Sequence, residues 1–138
     1  MGHSAGGYLT FVGASVPGVS AAVPLAPLTY LRRTSEAGWD EGAIASWIGS
    51  DPLQSPAEWE ALELPALGIP GVRTRILHGA EDRVVPIALT EDYLAEHLRP
   101  AGIDVALTAL PGTGHYEFLD PFSPTADGVI ATLRELSA

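Results

Sequence analysis

Apolar positions change their period along this chain, and the changes divide it into elements. From Ala5 to Ser15 the sequence AGGYLTFVGAS is apolar on most faces, which predicts a buried helix ended by Pro17-Gly18. Val19 to Ala26 is a short apolar run that reads as a central strand. Pro24 lies within it and cannot donate to a ladder, so the strand is expected to be short or irregular. Between Pro27 and Pro70 the pattern loosens, with Pro52, Pro56, Pro65 and Pro70 as punctuation. EGAIASWIGS and SPAEWEALEL predict short helices there, the second with Ser55 as a cap, Pro56 at its first position and Glu58 in its first turn.

The second half is more regular. TRILHG reads as a strand ending in glycine, and DVALTAL as another. Between them IALTEDYLAEHLRPAG predicts a helix with Ile87, Leu94, Ala95 and Leu98 on one face and Pro-Ala-Gly as its stop. Ser123-Pro124 starts a last helix, capped by Ser123, in which Ala126, Val129, Ile130 and Leu133 recur at helical spacing. Strands alternating with helices place the chain in the α/β class, with a mostly parallel sheet and crossover helices. There are no internal repeats.

Composition narrows the functional classes. The 138 residues amount to one domain, 46% hydrophobic and 17% charged. The net charge is −10; the seven basic residues are all arginines, and no cluster of five or more occurs. That balance argues against a nucleic-acid or anionic-membrane partner. There is no cysteine, which removes disulfides, thiolate metal sites and a cysteine nucleophile. No apolar run approaches the roughly 20 residues of a membrane span. No signal peptide is visible, and the compartment stays open. No His, Asp or Glu residues show the spacing of a metal site such as H-E-x-x-H, so no metal is expected. Gly112 and Gly114 lack the G-K-[ST] of a phosphate loop and read as the turn in front of His115. No cofactor is expected.

Candidate chemistry begins at the second residue. Gly2-His3-Ser4-Ala5-Gly6 fits G-x-S-x-G, in which a serine occupies a sharp turn between a strand and a helix. The bend predicts that a Cβ at either flanking glycine, Gly2 or Gly6, would clash. Asp82 in LHGAEDRVVP and His115 in PGTGHYEFLD each follow a predicted strand, at the end where open parallel sheets build their sites. A serine hydroxyl needs a neighbouring base to become a nucleophile. Histidine can take and return a proton near neutrality, and an aspartate can fix the imidazole tautomer. The amide of Ala5, after the serine, is the candidate donor to a developing oxyanion. The other candidates receive plainer readings. His78 shapes the turn that presents Asp82, His3 packs beneath the serine turn, and His97 is solvated. Glu81 is the competing acid, and Glu117 and Asp120 are loop surface. Trp39, Trp47 and Trp59 either wall a pocket or pack short helices onto the sheet.

GHSAGGYL, ILHGAEDRVVP and LPGTGHYEF together resemble the α/β-hydrolase fold, most closely its esterase and kynurenine-formamidase-like group. The resemblance covers nearly all of the chain but only the second half of that fold. It implies that residues 1–138 are the C-terminal part of such a domain, with the N-terminal strands missing and 27–70 forming a lid or pocket wall. It implies a serine hydrolase acting on a small-molecule acyl substrate, such as a carboxylic ester, through an acyl-Ser4 intermediate, with Ser4, Asp82 and His115 as its triad. Arylformamidase activity and prolyl-oligopeptidase-type peptidase activity are the alternatives within the fold. A catalytically inactive fragment or pseudoenzyme is the alternative outside it. The His-Gly-Gly loop that carries the second oxyanion donor in the family is not in this chain. An open sheet edge would favour self-association.

Overall fold

The computed structural model describes residues 1–68 and 71–138; Pro70, one of the four punctuating prolines, lies outside the described residues. Five short strands form one sheet: β1 (Gly2–His3), β2 (Ala21–Ala22), β3 (Pro24–Leu25), β4 (Arg73–Gly79) and β5 (Val105–Leu110). All pairings are parallel. Ala21 pairs with Arg73, Ala22 with Thr74 and Leu25 with Leu77, a single register throughout. β2 and β3 are therefore two pieces of one extended stretch, as Pro24 led one to expect. β1 lies outside β3, β4 runs along the centre, and β5 pairs with β4 from Thr74–Val105 to Gly79–Leu110.

The central strand reads out both faces of the sheet. Ile76 joins the larger core with Phe11, Leu31, Trp59, Tyr93 and Leu98, whereas Leu77 joins a smaller one with Val23 and Leu25 on the other side. This is the period-two alternation of a strand covered by helices on both faces.

Helix α1 (Ala5–Gly13) leaves β1 and buries Gly7, Tyr8 and Phe11. Its other apolar residues are not buried: Leu9 is 56% and Val12 38% exposed. Its inward face packs on β3 and against Tyr93, and the Tyr8 hydroxyl donates to the Leu62 carbonyl at 2.7 Å, so the helix is half-buried and not wholly enclosed. Four short helices come next: α2 (Leu31–Glu36), α3 (Ala43–Ile48), α4 (Pro56–Leu62) and α5 (Leu64–Leu67). The Glu63 carboxylate accepts the Leu31 and Arg32 amides, at 3.2 and 2.8 Å, and so caps α2 from the far end of this region. Burial pushes the Glu63 carboxyl up from its ordinary value, and the two amides oppose that. Ser55 makes no side-chain cap on α4, contrary to the sequence pattern.

The last two helices keep their predicted positions, and their inward faces match the predicted ones in part. α6 (Ile87–Tyr93) runs into a π-helical turn, Leu94–Leu98. Leu89 and Tyr93, and Leu94 and Leu98, are buried as i,i+4 pairs on one face, so Leu94 and Leu98 lie inward as their spacing predicts, whereas Ala95 is exposed. α7 (Pro124–Ser137) buries Thr125 and packs Val129 and Leu136 on the smaller core, while Ile130 and Leu133 face outward. The Ser123 hydroxyl donates to the Glu117 carbonyl at 2.8 Å and does not cap α7. Among the described residues no helix is long and apolar enough to cross a membrane.

Candidate active site

Ser4 occupies the turn between β1 and α1 with φ 57° and ψ −118°, a backbone state that side chains rarely adopt. Such a conformation costs about 1–3 kcal/mol and persists only where surrounding contacts impose it. Here the Ser4 amide donates to the Leu25 carbonyl at 2.9 Å, and the Ser4 carbonyl accepts from the Gly7 and Leu28 amides at 2.8 and 3.2 Å. A Cβ on Gly2 would overlap the Gly6 carbonyl oxygen, as the motif requires. Gly6 is the surprise: a Cβ there meets nothing within 4 Å. The crowded partner is Gly7, where a Cβ would stand 2.7 Å from Pro27 Cα. The constraint lies where the turn packs on the loop after β3, one residue beyond the motif.

Asp82 lies in the loop after β4. Its Oδ1 accepts the Val84 and Val85 amides at 2.9 and 2.8 Å, which closes the loop around the carboxylate. Beneath it, the His78 Nε2–H donates to the Val85 carbonyl at 2.8 Å, and His78 Nδ1 faces the Thr90 hydroxyl at 3.0 Å. A carbonyl can only accept, so the proton is on Nε2, which also lies 3.3 Å from Asp82 Oδ2. His78 holds the loop from below.

His115 is carried by the loop after β5, and Gly79 lets that loop come close. A Cβ on Gly79 would overlap the Thr113 and Gly114 carbonyl oxygens. The Glu81 amide donates to the Thr113 carbonyl at 3.0 Å, and the Gly114 amide donates to the Glu117 carboxylate at 3.1 Å. Glu117 thus supports this loop, a role its surface reading missed. Glu81 is exposed, and the Asp120 carboxylate accepts the Phe122 amide two residues on, at 2.9 Å.

The structure brings Ser4, His115 and Asp82 into one hydrogen-bonded chain. His115 Nδ1 is 2.7 Å from Asp82 Oδ2, and His115 Nε2 is 3.0 Å from Ser4 Oγ. Burial opposes ionisation of Asp82, but hydrogen bonds from His115, His78 and the Val85 amide outweigh it and hold the carboxyl well below the usual carboxylate range. An ionised Asp82 can only accept, so His115 carries its proton on Nδ1 and receives the Ser4 hydroxyl on Nε2. This is the bonding pattern that lets a hydroxyl lose its proton to an imidazole as it attacks. Among the described residues the Ala5 amide makes no hydrogen bond.

His3 is half-buried and turned towards His115. Its Nε2 lies 2.7 Å from the His115 carbonyl oxygen and its ring centre 4.6 Å from that of His115. No sequence signal pointed to this contact. His97 packs against Tyr93 and Tyr30, with ring centres at 5.3 and 6.1 Å.

A cavity of about 550 Å³ opens over Ser4 and Ala5. Leu28, Ile44, Trp39, Trp47, Val85 and Tyr116 line it, together with Asp40, Glu41 and Arg83. The tryptophans divide between their two readings: Trp39 and Trp47 line this cavity, 41% and 55% exposed, whereas Trp59 is fully buried in the larger core. Among the described residues no group of three or more His, Asp or Glu side chains could hold a metal ion.

No family model matches the sequence, and no curated protein does. Solved structures do match. The Pyrococcus horikoshii acylaminoacyl peptidase superposes with a TM-score of 0.72 at 21% identity, over 90% of this chain and 20% of its own. A puromycin-hydrolyzing peptidase from Mycobacterium tuberculosis gives 0.67 at 24% identity, over 83% of this chain and 18% of its own. Est1E from Butyrivibrio proteoclasticus gives 0.68 at 17% identity, over 98% of this chain and 59% of its own. The chain thus spans 18 to 59% of the length of these structures. What they share with it is part of the α/β-hydrolase fold.

Proposed function

We propose that this chain, which carries part of an α/β-hydrolase fold, belongs to a serine hydrolase that transfers acyl groups through Ser4. The observation that carries the reading is the bonded order Ser4–His115–Asp82, at 3.0 and 2.7 Å, with Ser4 lining a cavity. Ser4 Oγ attacks the substrate carbonyl carbon while its proton passes to His115 Nε2. Asp82 keeps the imidazole in the accepting tautomer and stabilises the imidazolium. The Ala5 amide and the first turn of α1 face the charge that develops on the carbonyl oxygen. As the tetrahedral intermediate collapses, His115 returns the proton to the leaving group and acyl-Ser4 remains. Water, deprotonated by the same imidazole, then releases the acid.

The substrates are carboxylic esters or related acyl compounds. Leu28, Ile44, Trp39 and Trp47 favour an apolar acyl or leaving group, and the stretch from Leu28 to Trp47 acts as the pocket wall. The test is labelling with a fluorophosphonate, then mapping of the modified peptide. Wild-type protein should be modified at Ser4, and Ser4→Ala and His115→Ala should not. A wild-type chain that stays unlabelled would favour the non-catalytic reading. Turnover of aryl esters against aminoacyl anilides in the same preparation separates an esterase from a peptidase.

A further inference from the structure

We propose that His3 is a positioning residue for the base, holding the main chain of His115 so that its imidazole meets Ser4. The inference rests on reading Ser4 and His115 as nucleophile and base.

His115 lies beyond the end of β5, where no ladder fixes its backbone. Its carbonyl oxygen instead meets His3 Nε2 at 2.7 Å. A carbonyl only accepts, so His3 holds its proton on Nε2 and donates it there. His3 and Ser4 are consecutive, and both reach the same residue from the end of β1. Ser4 Oγ meets the His115 imidazole at 3.0 Å, and His3 meets the His115 main chain. The first contact alone would let the imidazole swing about its own backbone; the second fixes the point from which it swings. Phe118 backs the His3 ring, with centres 5.9 Å apart.

The same placement bears on charge. Burial disfavours the charged form of His3 more than the His115 carbonyl favours it, so above pH 6.5 the ring is neutral. A neutral ring 4.6 Å from His115 adds no repulsion when that imidazole becomes positive. A neutral amide donor should therefore be able to replace it.

The test compares wild type with His3→Ala and His3→Gln. Glutamine offers an N–H at similar reach, and alanine offers none. Ester turnover is measured per fluorophosphonate-labelled site, and the low-field Nδ1–H proton resonance of His115 is tracked by NMR. His3→Ala should lower kcat by up to about 100-fold, the scale of an ångström's misplacement, with KM little changed. It should also broaden or abolish the resonance. His3→Gln should recover most of both. Full kcat per labelled site in His3→Ala, with only a lower melting temperature, would reduce His3 to a structural residue and overturn the proposal, as would equal impairment in both variants. If wild-type Ser4 does not react, the hydrolase reading falls by itself. The resonance then decides for His3, and its persistence in His3→Ala refutes the role.

Discussion

His115 Nδ1 lies 2.7 Å from Oδ2 of Asp82, although 33 positions separate the two in the chain. Asp82 is also tied down by the Val84 and Val85 amides on Oδ1 and by His78 Nε2, 3.3 Å from Oδ2, so its carboxylate is held independently of His115.

Asp82→Asn keeps an oxygen for those amides and turns an NH2 towards His115. The imidazole must then reverse its tautomer and can no longer accept from Ser4. Turnover should fall by up to about 10⁴-fold while the fold persists. Glu81→Gln, at an exposed neighbour, should leave turnover unchanged. Steady-state kinetics on both variants, with circular dichroism as the control for folding, checks the assignment.

Gly79 and Gly6 should behave oppositely. Gly79→Ala drives a Cβ into the Thr113 and Gly114 carbonyls, which cannot rotate away, and should destabilise by about 1–3 kcal/mol while displacing His115. Gly6→Ala meets open space in the first turn of α1 and should be neutral or stabilising, by up to about 1 kcal/mol. Thermal melts of the two variants give the comparison directly.

Trp59 and Trp47 separate core from cavity. Trp59→Ala should cost about 3–5 kcal/mol, because its side chain is fully enclosed. Trp47 meets Tyr8 edge to face with centres 5.8 Å apart, so Trp47→Ala should cost no more than about 1 kcal/mol. It should instead raise KM for bulky acyl esters more than for acetates. Denaturant titration and a chain-length series of p-nitrophenyl esters measure the two effects.

Stability should also depend on pH through His3. Burial holds its imidazole below the ordinary value of 6.5, so between the native value and 6.5 the unfolded chain binds more protons. Stability should therefore rise with pH through that window and be lost on acidification below 6.5. His3→Gln should flatten this limb. The limb due to Asp82, whose carboxyl is depressed in the native state, should begin only below about pH 4 and remain in that variant. Melting temperatures from pH 3 to 8 resolve both.

Much of this protein was legible in its sequence because the determining forces are local. The runs around β4 and β5, the helix after Ser4 and the residues Ser4, Asp82 and His115 emerge from period, proline and glycine placement, and motif order. Helix faces were legible in part: Leu94 and Leu98 are buried as their spacing predicts, but Ala95 is exposed and Leu89 and Tyr93 complete the inward face. What the sequence could not supply are contacts between distant backbones. Gly7 rather than Gly6 is crowded because Pro27 comes down on α1, and Gly79 is required because the His115 loop lies against the end of β4. His3 bonds a carbonyl 112 positions away, and three tryptophans of equal local character divide between core and cavity. Short-range pattern fixes which elements form and which residues stand at their ends. Only the packed chain decides which backbone atoms those residues meet.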